Sequence, residues 1–368
     1  MRYLLGLLPL VALAPAGAAA QGITLFGSAR LGLGYNVQNN GDPALETRRT
    51  ETVVIGGDAV AEVDTALGGT DDLRALSRVR FGVIMTGESD SGIGFGAEIR
   101  ADNAPGGGTG PSAATGQTEG DVFVTGSWGT LTFGDTDGAD YARVGDVVAN
   151  GTLTGLGDYN QLPFLSNGGG SDNDELQFIA DPDNLPTVRY DYDFAQFGLS
   201  LSTTRDLNAV GAGAGYTYAF GDEASVSLGL GYYNFNEYIG EIPNYGEVLV
   251  PDGDEWTASL RGAFGGFEGG VGYASIDAGS LGTLDVLTLG ASYGAGAWRA
   301  FGYYSTVTGG DRLFGEGLDG RDSYGASLRY DLGGGATVNG GVANVDGFSG
   351  LGDGDSAVVG DFGISMAF

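Results

Sequence analysis

The chain contains no cysteine, no histidine and no lysine, so all 16 of its basic residues are arginine. Without histidine and cysteine, neither a Ser-His-Asp triad nor a Cys-His pair can form, and the usual zinc sites are excluded. Acid–base catalysis would depend on a carboxylate pair, so we expect no enzyme activity. The 47 acidic residues bring the formal net charge to −31, which argues against nucleic-acid binding.

Glycine is abundant instead, with 72 of the 368 residues. That content argues against conventional helical domains, because glycine destabilises helix interiors. A hydrophobic share of 42 % with 18 Tyr and 18 Phe argues equally against a disordered chain. These proportions predict an all-β protein.

The N-terminus has the three parts of a secretory signal peptide. Arg2 supplies the positive charge, the stretch from Leu4 to Leu13 is apolar, and Ala20 ends a small-residue cleavage site. Pro9 interrupts the apolar stretch, and a transmembrane helix needs about 20 apolar residues in succession. We therefore expect residues 1–20 to be removed and 21–368 to form the mature protein.

Apolar and polar residues alternate along most of the remaining chain, which is the pattern of half-buried strands. Sixteen strands are predicted, at about 22–38, 73–88, 92–103, 121–128, 130–136, 186–194, 197–206, 209–220, 225–238, 255–265, 267–278, 284–295, 297–308, 321–332, 336–346 and 356–368. Short turns largely alternate with long Gly/Asp/Pro-rich connections, as expected when one set of turns faces a closed compartment.

Two architectures fit this many amphipathic strands: a soluble sandwich, and a transmembrane barrel that is apolar outside and polar inside. Tyrosines near the strand ends, such as Tyr190, Tyr218 and Tyr304, favour the barrel, because amphipathic rings settle at membrane interfaces. The sequence therefore predicts a 16-stranded antiparallel transmembrane β-barrel. About sixteen strands leave a water-filled channel.

Residue parity places five arginines on the inner face of this barrel. They are Arg30, Arg78, Arg80, Arg100 and Arg189. They could line a constriction, or they could simply pair with acids to satisfy a polar interior. The connection at about 137–185 is too long for an ordinary surface loop and is the candidate for narrowing the channel.

Several hairpins resemble those of the general-diffusion porins of Gram-negative outer membranes, specifically the alphaproteobacterial 16-stranded type. These are Ser77-Arg78-Val79-Arg80-Phe81 with the turn at Ser89-Asp90-Ser91, Val122 to Gly129 with Phe133-Gly134-Asp135, and Tyr324 to Ala336. Each motif is weak by itself, but their order and spacing span the mature chain.

The resemblance implies passive diffusion of small polar solutes and ions, no cofactor, a homotrimer, and contact with outer-membrane lipids and lipopolysaccharide. It also implies that the third loop folds into the pore, where its acids face the wall arginines across an eyelet. Those acids are Asp137, Asp140, Asp146 and Asp158. The terminal Phe368 is similar to the signal that the barrel assembly machinery reads.

Three expectations stay open. The acids Asp172, Asp174 and Glu175 form a candidate Ca²⁺ site, since hard cations prefer carboxylates. The long first connection, 39–72, could form an extra hairpin. A substrate-specific sugar or peptide channel and, less favoured, an outer-membrane adhesin remain as alternative functions, although most aromatic residues fall on the outward parity.

Overall fold

The structure is a computed structural model, and it describes residues 22–36, 48–55, 58–66, 73–102, 118–147, 151–154, 186–204, 207–221, 223–242, 246–277, 279, 282–309, 321–346 and 356–368. The predicted signal peptide, 1–20, lies outside these ranges.

Nearly all described residues belong to strands. In chain order the elements are β1 (Gly22–Tyr35), β2 (Arg48–Ile55), β3 (Asp58–Ala66), β4 (Leu73–Glu88), β5 (Gly94–Asp102), β6 (Thr118–Gly126), β7 (Gly129–Gly134), α1 (Ala139–Val144), β8 (Pro186–Phe194), β9 (Phe197–Thr204), β10 (Ala209–Ala219), β11 (Ala224–Phe235), β12 (Tyr238–Ile242), β13 (Gly246–Val250), β14 (Gly253–Phe264), β15 (Phe267–Asp277), β16 (Thr283–Ala295), β17 (Trp298–Gly309), β18 (Arg321–Gly333), β19 (Ala336–Asp346) and β20 (Ser356–Ala367). No helix among the described residues is long and apolar enough to cross a membrane.

Sixteen of these strands close into one antiparallel barrel, which confirms the predicted fold class. Each barrel strand pairs with its neighbour along the chain, and β1 closes the ring by pairing with both β4 and β20. Closure leaves no open sheet edge, so the backbone N–H and C=O groups pair within the sheet. A lipid-exposed sheet requires this, because the bilayer core offers no water as a partner.

The outer face of the barrel is apolar. Leu25 on β1 is 74 % exposed, Phe81 on β4 is 58 % exposed and Leu201 on β9 is 60 % exposed. Residues between these positions, such as Ser28, Arg80 and Ser202, point inward by alternation. The arrangement is the reverse of a soluble sandwich and fits a barrel surrounded by lipid.

Aromatic rings gather on the outer face at the short-turn end of the barrel. Phe194 stacks on Phe197 across the turn between β8 and β9, with ring centroids 5.4 Å apart. Trp298 packs on Tyr330 at 4.5 Å, and Trp128 stacks on Tyr190 at 6.5 Å. Such a girdle marks a membrane–water interface. It agrees with the sequence-based argument that tyrosines near strand ends, such as Tyr190, lie at a membrane interface.

Two hairpins stand outside the barrel. The β2–β3 hairpin lies within the first connection, 39–72, where the sequence left open whether an extra hairpin forms. The β12–β13 hairpin follows β11 and was not predicted, because the region 239–254 was interpreted as an irregular connection. The predicted bounds of the sixteen barrel strands agree with the observed ones to within three residues at each end.

Candidate functional site

The third loop connects β7 to β8 and turns inward where β7 ends. Gly134 has a φ of 132°, which side-chain-bearing residues rarely adopt. The carbonyl of Asp137 then accepts a hydrogen bond from Nη1 of Arg189 at 2.8 Å. Arg189 projects from the inner face of β8, and its Nε pairs with Asp191 at 2.9 Å. The beginning of the loop is therefore tied to the inner face of the next strand.

Helix α1 comes next and lies against the inner face of β8–β11 and β14. The N–H of Ala139 donates to the Ser202 hydroxyl at 2.9 Å. At the other end, the carbonyl of Val144 accepts from the Ser259 hydroxyl at 2.9 Å. Ala139 and Val144 are both fully buried. The helix is thus held at both ends by serines on the wall.

Glycines make this close packing sterically feasible. A Cβ added to Gly213 would lie 2.8 Å from the carbonyl carbon of Ala139. One added to Gly231 would lie 2.7 Å from the Cβ of Asp140. Real Cβ atoms essentially never approach so closely, so the wall must be glycine where the helix lies on it.

Arg143 adds a further attachment on the side of β8 and β9. Its Nη1 pairs with Asp193 at 2.6 Å, its Nε donates to the Ser200 hydroxyl at 2.6 Å, and its Nη2 donates to the carbonyl of Leu199 at 2.9 Å. Asp193 is 72 % exposed, so the ion pair itself contributes little to stability. The three donors nevertheless fix the orientation of the guanidinium, because its planar fork is rigid.

The loop continues along the wall beyond α1. The carbonyl of Asp146 accepts from Nη1 of Arg261 on β14 at 3.2 Å. Val147 packs in a buried pair with Phe301 on β17. The N–H of Gly151 donates to the Ser327 hydroxyl on β18 at 3.2 Å. The loop therefore follows the inner circumference rather than crossing the lumen at one point.

The last described part of the loop is attached to β20 and β1. Thr154 donates from both its N–H and its hydroxyl to Oδ2 of Asp361, at 2.7 and 2.6 Å. Nη1 of Arg30 donates to the carbonyl of Leu153 at 3.1 Å. A Cβ on Gly363 would lie 2.6 Å from Cδ2 of Leu153. Here too the loop lies directly on a glycine of the wall.

The wall of β1, β4 and β5 carries a row of arginines. Arg30 and Arg78 are directly opposite each other in register. Arg80 follows two residues along β4, and Arg100 on β5 is opposite Gly82 and so next to Arg80. All four are on the inward parity and half-buried. The structure thus brings together four of the five predicted wall arginines, whereas Arg189 lies apart and pairs with β8 and the loop.

Carboxylates that sequence reasoning missed lie on the wall beside this row. Glu98 on β5 is opposite Asp121 on β6, and Asp135 follows the end of β7. Burial raises the pKa of Asp135 above its ordinary value, and the charge of Arg100 opposes that shift. Inward parity on β5 and β6 is the sequence signal that identifies Glu98 and Asp121 as lumen-facing.

The predicted loop acids have different surroundings. Asp137 is half-buried where the loop enters, and Asp146 accepts a hydrogen bond from the Tyr141 hydroxyl at 3.5 Å. Asp140 was expected to face the arginines, but it is fully buried because α1 presses it against the wall at Gly231. The predicted loop acid Asp158 and the candidate Ca²⁺ ligands lie outside the described residues. Those ligands are Asp172, Asp174 and Glu175.

Comparison with known proteins shows the family. The family model described as Gram-negative porin matches residues 7–348. This chain belongs to the Gram-negative porins. The porin is similar to the "Porin" of Rhodobacter capsulatus, with 28 % identity over 81 % of this chain and 95 % of that protein.

Two solved porin structures have the same fold. A refined porin structure has a TM-score of 0.60 and 24 % identity, and covers 94 % of this porin and 100 % of its own chain. A variant of Rh. blastica porin has a TM-score of 0.53 and 20 % identity, with the same coverages. The resemblance stated from the sequence is therefore confirmed, and the chain is an outer-membrane porin. Within the described part of the porin, no group of three or more acids is placed to hold a metal ion.

Proposed function

We propose that this porin is a general-diffusion channel whose eyelet lies between the third loop and the arginines of β1, β4 and β5. The supporting observation is the asymmetry of the lumen. The loop is attached to the wall from β8 round to β1, where Arg30 donates to Leu153, and the other three arginines of the row lie beyond it on β4 and β5. Solutes pass through the water between them.

The charges would set a transverse field across this opening. Guanidinium groups stay charged at any working pH, so the positive side of the field is permanent. The opposing carboxylates are Asp137 and Asp146 on the loop, with Asp158 proposed to join them. Such a field favours small dipolar solutes that can align in it, and disfavours large apolar ones that must shed water.

The register of the arginines supports a role beyond sheet stability. Like charges directly opposite each other destabilise a sheet, and Arg30 faces Arg78 in this way. A lumen that simply needed polar residues could use serine or threonine at these positions, as β9 does at Ser200 and Ser202.

The test is conductance of the purified protein in planar lipid bilayers. We expect large, ohmic single-channel steps in KCl, and a mild cation preference because acids outnumber arginines. A conductance that stays at background in correctly folded protein would refute the channel. An anion-selective reversal potential under a KCl gradient would refute the sign of the preference.

The proposal extends to assembly. We infer a homotrimer, export with a cleaved signal peptide, lipopolysaccharide around the apolar outer face, and recognition of Phe368 by the barrel assembly machinery. The N–H of Phe368 pairs with the carbonyl of Gly27 at 2.9 Å, so the terminal residue extends the β20–β1 ladder at the seam. Removing Phe368 should lower the yield of folded barrel in the outer membrane, measured against Phe368→Tyr.

A further inference from the structure

The inner wall of β1, β4, β5 and β6 contains two aromatic rings that sequence reasoning did not use. Phe26 and Phe123 are on the inward parity of β1 and β6, and each is half-buried. A Cβ on Gly82 would lie 2.6 Å from Cε1 of Phe26, and one on Gly96 would lie 2.8 Å from Cε1 of Phe123. Each ring therefore extends across the glycine of a neighbouring strand.

Ile84 connects the two rings into one apolar strip. It is inward-facing and half-buried on β4, two residues from Gly82, and its register partner on β5 is Glu98. Gly96 is two residues beyond Glu98 on β5. With strands about 4.8 Å apart and side chains on one face about 6.7 Å apart, Ile84 lies next to the position over Gly82, and Gly96 is its diagonal neighbour on β5. We define Phe26, Ile84 and Phe123 as the lumen strip.

The strip adjoins the arginine row at one end. Phe26, Gly82 and Arg100 form one row across β1, β4 and β5, and Ser28 and Arg80 occupy the next inward row. The ring of Phe26 lies over Gly82, which is the register partner of Arg100 and is two residues from Arg80 along β4. An apolar surface and a fixed positive charge are therefore side by side on the same wall.

We propose that the lumen strip and the adjoining arginines form a weak binding subsite for small aromatic monocarboxylates. The planar body of such a solute packs on Phe26 and Ile84, and its carboxylate meets Arg80 or Arg100. Stacked aromatic pairs are favourable beyond their area burial, and a carboxylate pairs well with the guanidinium fork. This assignment rests on the proposed channel function and gives that channel a preferred class of solute.

Glu98 lies beside Ile84, so a solute carboxylate is favoured only at the Phe26 end of the strip, next to Arg80 and Arg100. A neutral aromatic compound uses only the strip, and an aliphatic acid uses only the arginines. Sugars need an extended aromatic track, whereas here the apolar surface is short and has guanidinium groups at one end.

The experiment measures single-channel KCl current at pH 7.4 while benzoate is titrated onto one side, with acetate and benzamide as matched probes. We expect benzoate to reduce the open-channel current saturably, with an apparent affinity at least 10-fold higher than that of acetate or benzamide. Equal, non-saturating effects of the three probes would overturn the subsite. That result would leave the KCl conductance intact, whereas failure of the channel proposal would abolish the conductance itself.

Two substitutions locate the subsite. Phe26→Ser and Ile84→Ser should each weaken the benzoate affinity by about 5-fold or more. Tyr303→Ser is the matched control, because Tyr303 also faces the lumen and also extends over a glycine, with a Cβ on Gly325 lying 2.6 Å from its Cε1. The control should keep the benzoate affinity of the unaltered protein. An equal loss in all three variants would refute the location. If a serine variant fails to fold, Phe26→Leu makes the same test, since it keeps the volume and removes the planar surface.

Discussion

The attachment of Thr154 to Asp361 should keep the far end of the third loop on the wall, and its strength can be worked from the structure. Asp361 is 8 % exposed, and its Oδ2 accepts two hydrogen bonds from Thr154 at 2.7 and 2.6 Å. Hydrogen bonds to a charged group contribute about 1.5–3 kcal/mol each. Because the two share one acceptor oxygen, we take the lower value for each, or about 3 kcal/mol together.

Asp361→Ala removes both bonds. A loss of about 3 kcal/mol raises the ratio of detached to attached loop ends by about 100-fold, since each 1.4 kcal/mol is a factor of ten. Thr154→Val removes only the hydroxyl bond and should raise that ratio about 10-fold by the same conversion.

The assay uses the absence of cysteine from the chain. A single cysteine at Leu153, which is 4 % exposed, should react slowly with a water-soluble maleimide as long as the loop stays on the wall. Adding Asp361→Ala should accelerate that reaction by about 100-fold. Asp322→Ala is the control, because Asp322 is on the outward parity of β18, with Tyr324 and Leu328, and accepts a hydrogen bond from Tyr304. An unchanged rate with Asp361→Ala would refute the reasoning.

Three further predictions concern the wall and the eyelet. Gly213→Val places a methyl-bearing side chain where α1 lies, and overpacking costs about 1–3 kcal/mol, so thermal unfolding should occur at a lower temperature. Gly262→Val, where an added Cβ would have only an ordinary contact at 3.8 Å, should leave the midpoint nearly unchanged. Replacing Arg80 and Arg100 by glutamine should shift the reversal potential towards cation selectivity. A charge about 7 Å from the ion path in water contributes about 0.6 kcal/mol, which is about 3-fold in the permeability ratio for each arginine. An unchanged reversal potential would show that the two arginines do not line the eyelet. Since burial raises the pKa of Asp135, this group loses its charge on acidification before exposed aspartates do. Cation preference should therefore begin to fall at a pH above the ordinary aspartate pKa, and Asp135→Asn should reduce that early component of a reversal-potential titration.

The architecture followed from the sequence because it depends on local and repetitive rules. Strand alternation needs only a period of two, and a residue such as Leu25 or Arg80 takes its face from parity alone. The number of barrel strands and their closed antiparallel order were therefore predictable, whereas the β2–β3 hairpin was only a possibility. The β12–β13 hairpin was not, since five-residue strands within a polar connection give too short a periodic signal.

The lumen was predictable only in part. Parity identified Arg30, Arg78, Arg80 and Arg100 as inward, and the register of the strands then showed that they are neighbours. The loop acids carried no comparable signal, because an irregular segment has no period from which to infer a side chain's direction. Asp140 illustrates the difference, since its burial depends on where α1 meets the wall.

The sequence by itself determined that this chain is a glycine-rich transmembrane barrel without histidine or cysteine chemistry, because composition and period-two alternation act residue by residue. Only the tertiary structure decided which wall positions must be glycine because the third loop packs on them. Gly213, Gly231 and Gly363 look like any other barrel glycine in the sequence. Their need for a bare Cα arises from contact with α1 and Leu153, which are distant along the chain and meet them only when the barrel closes.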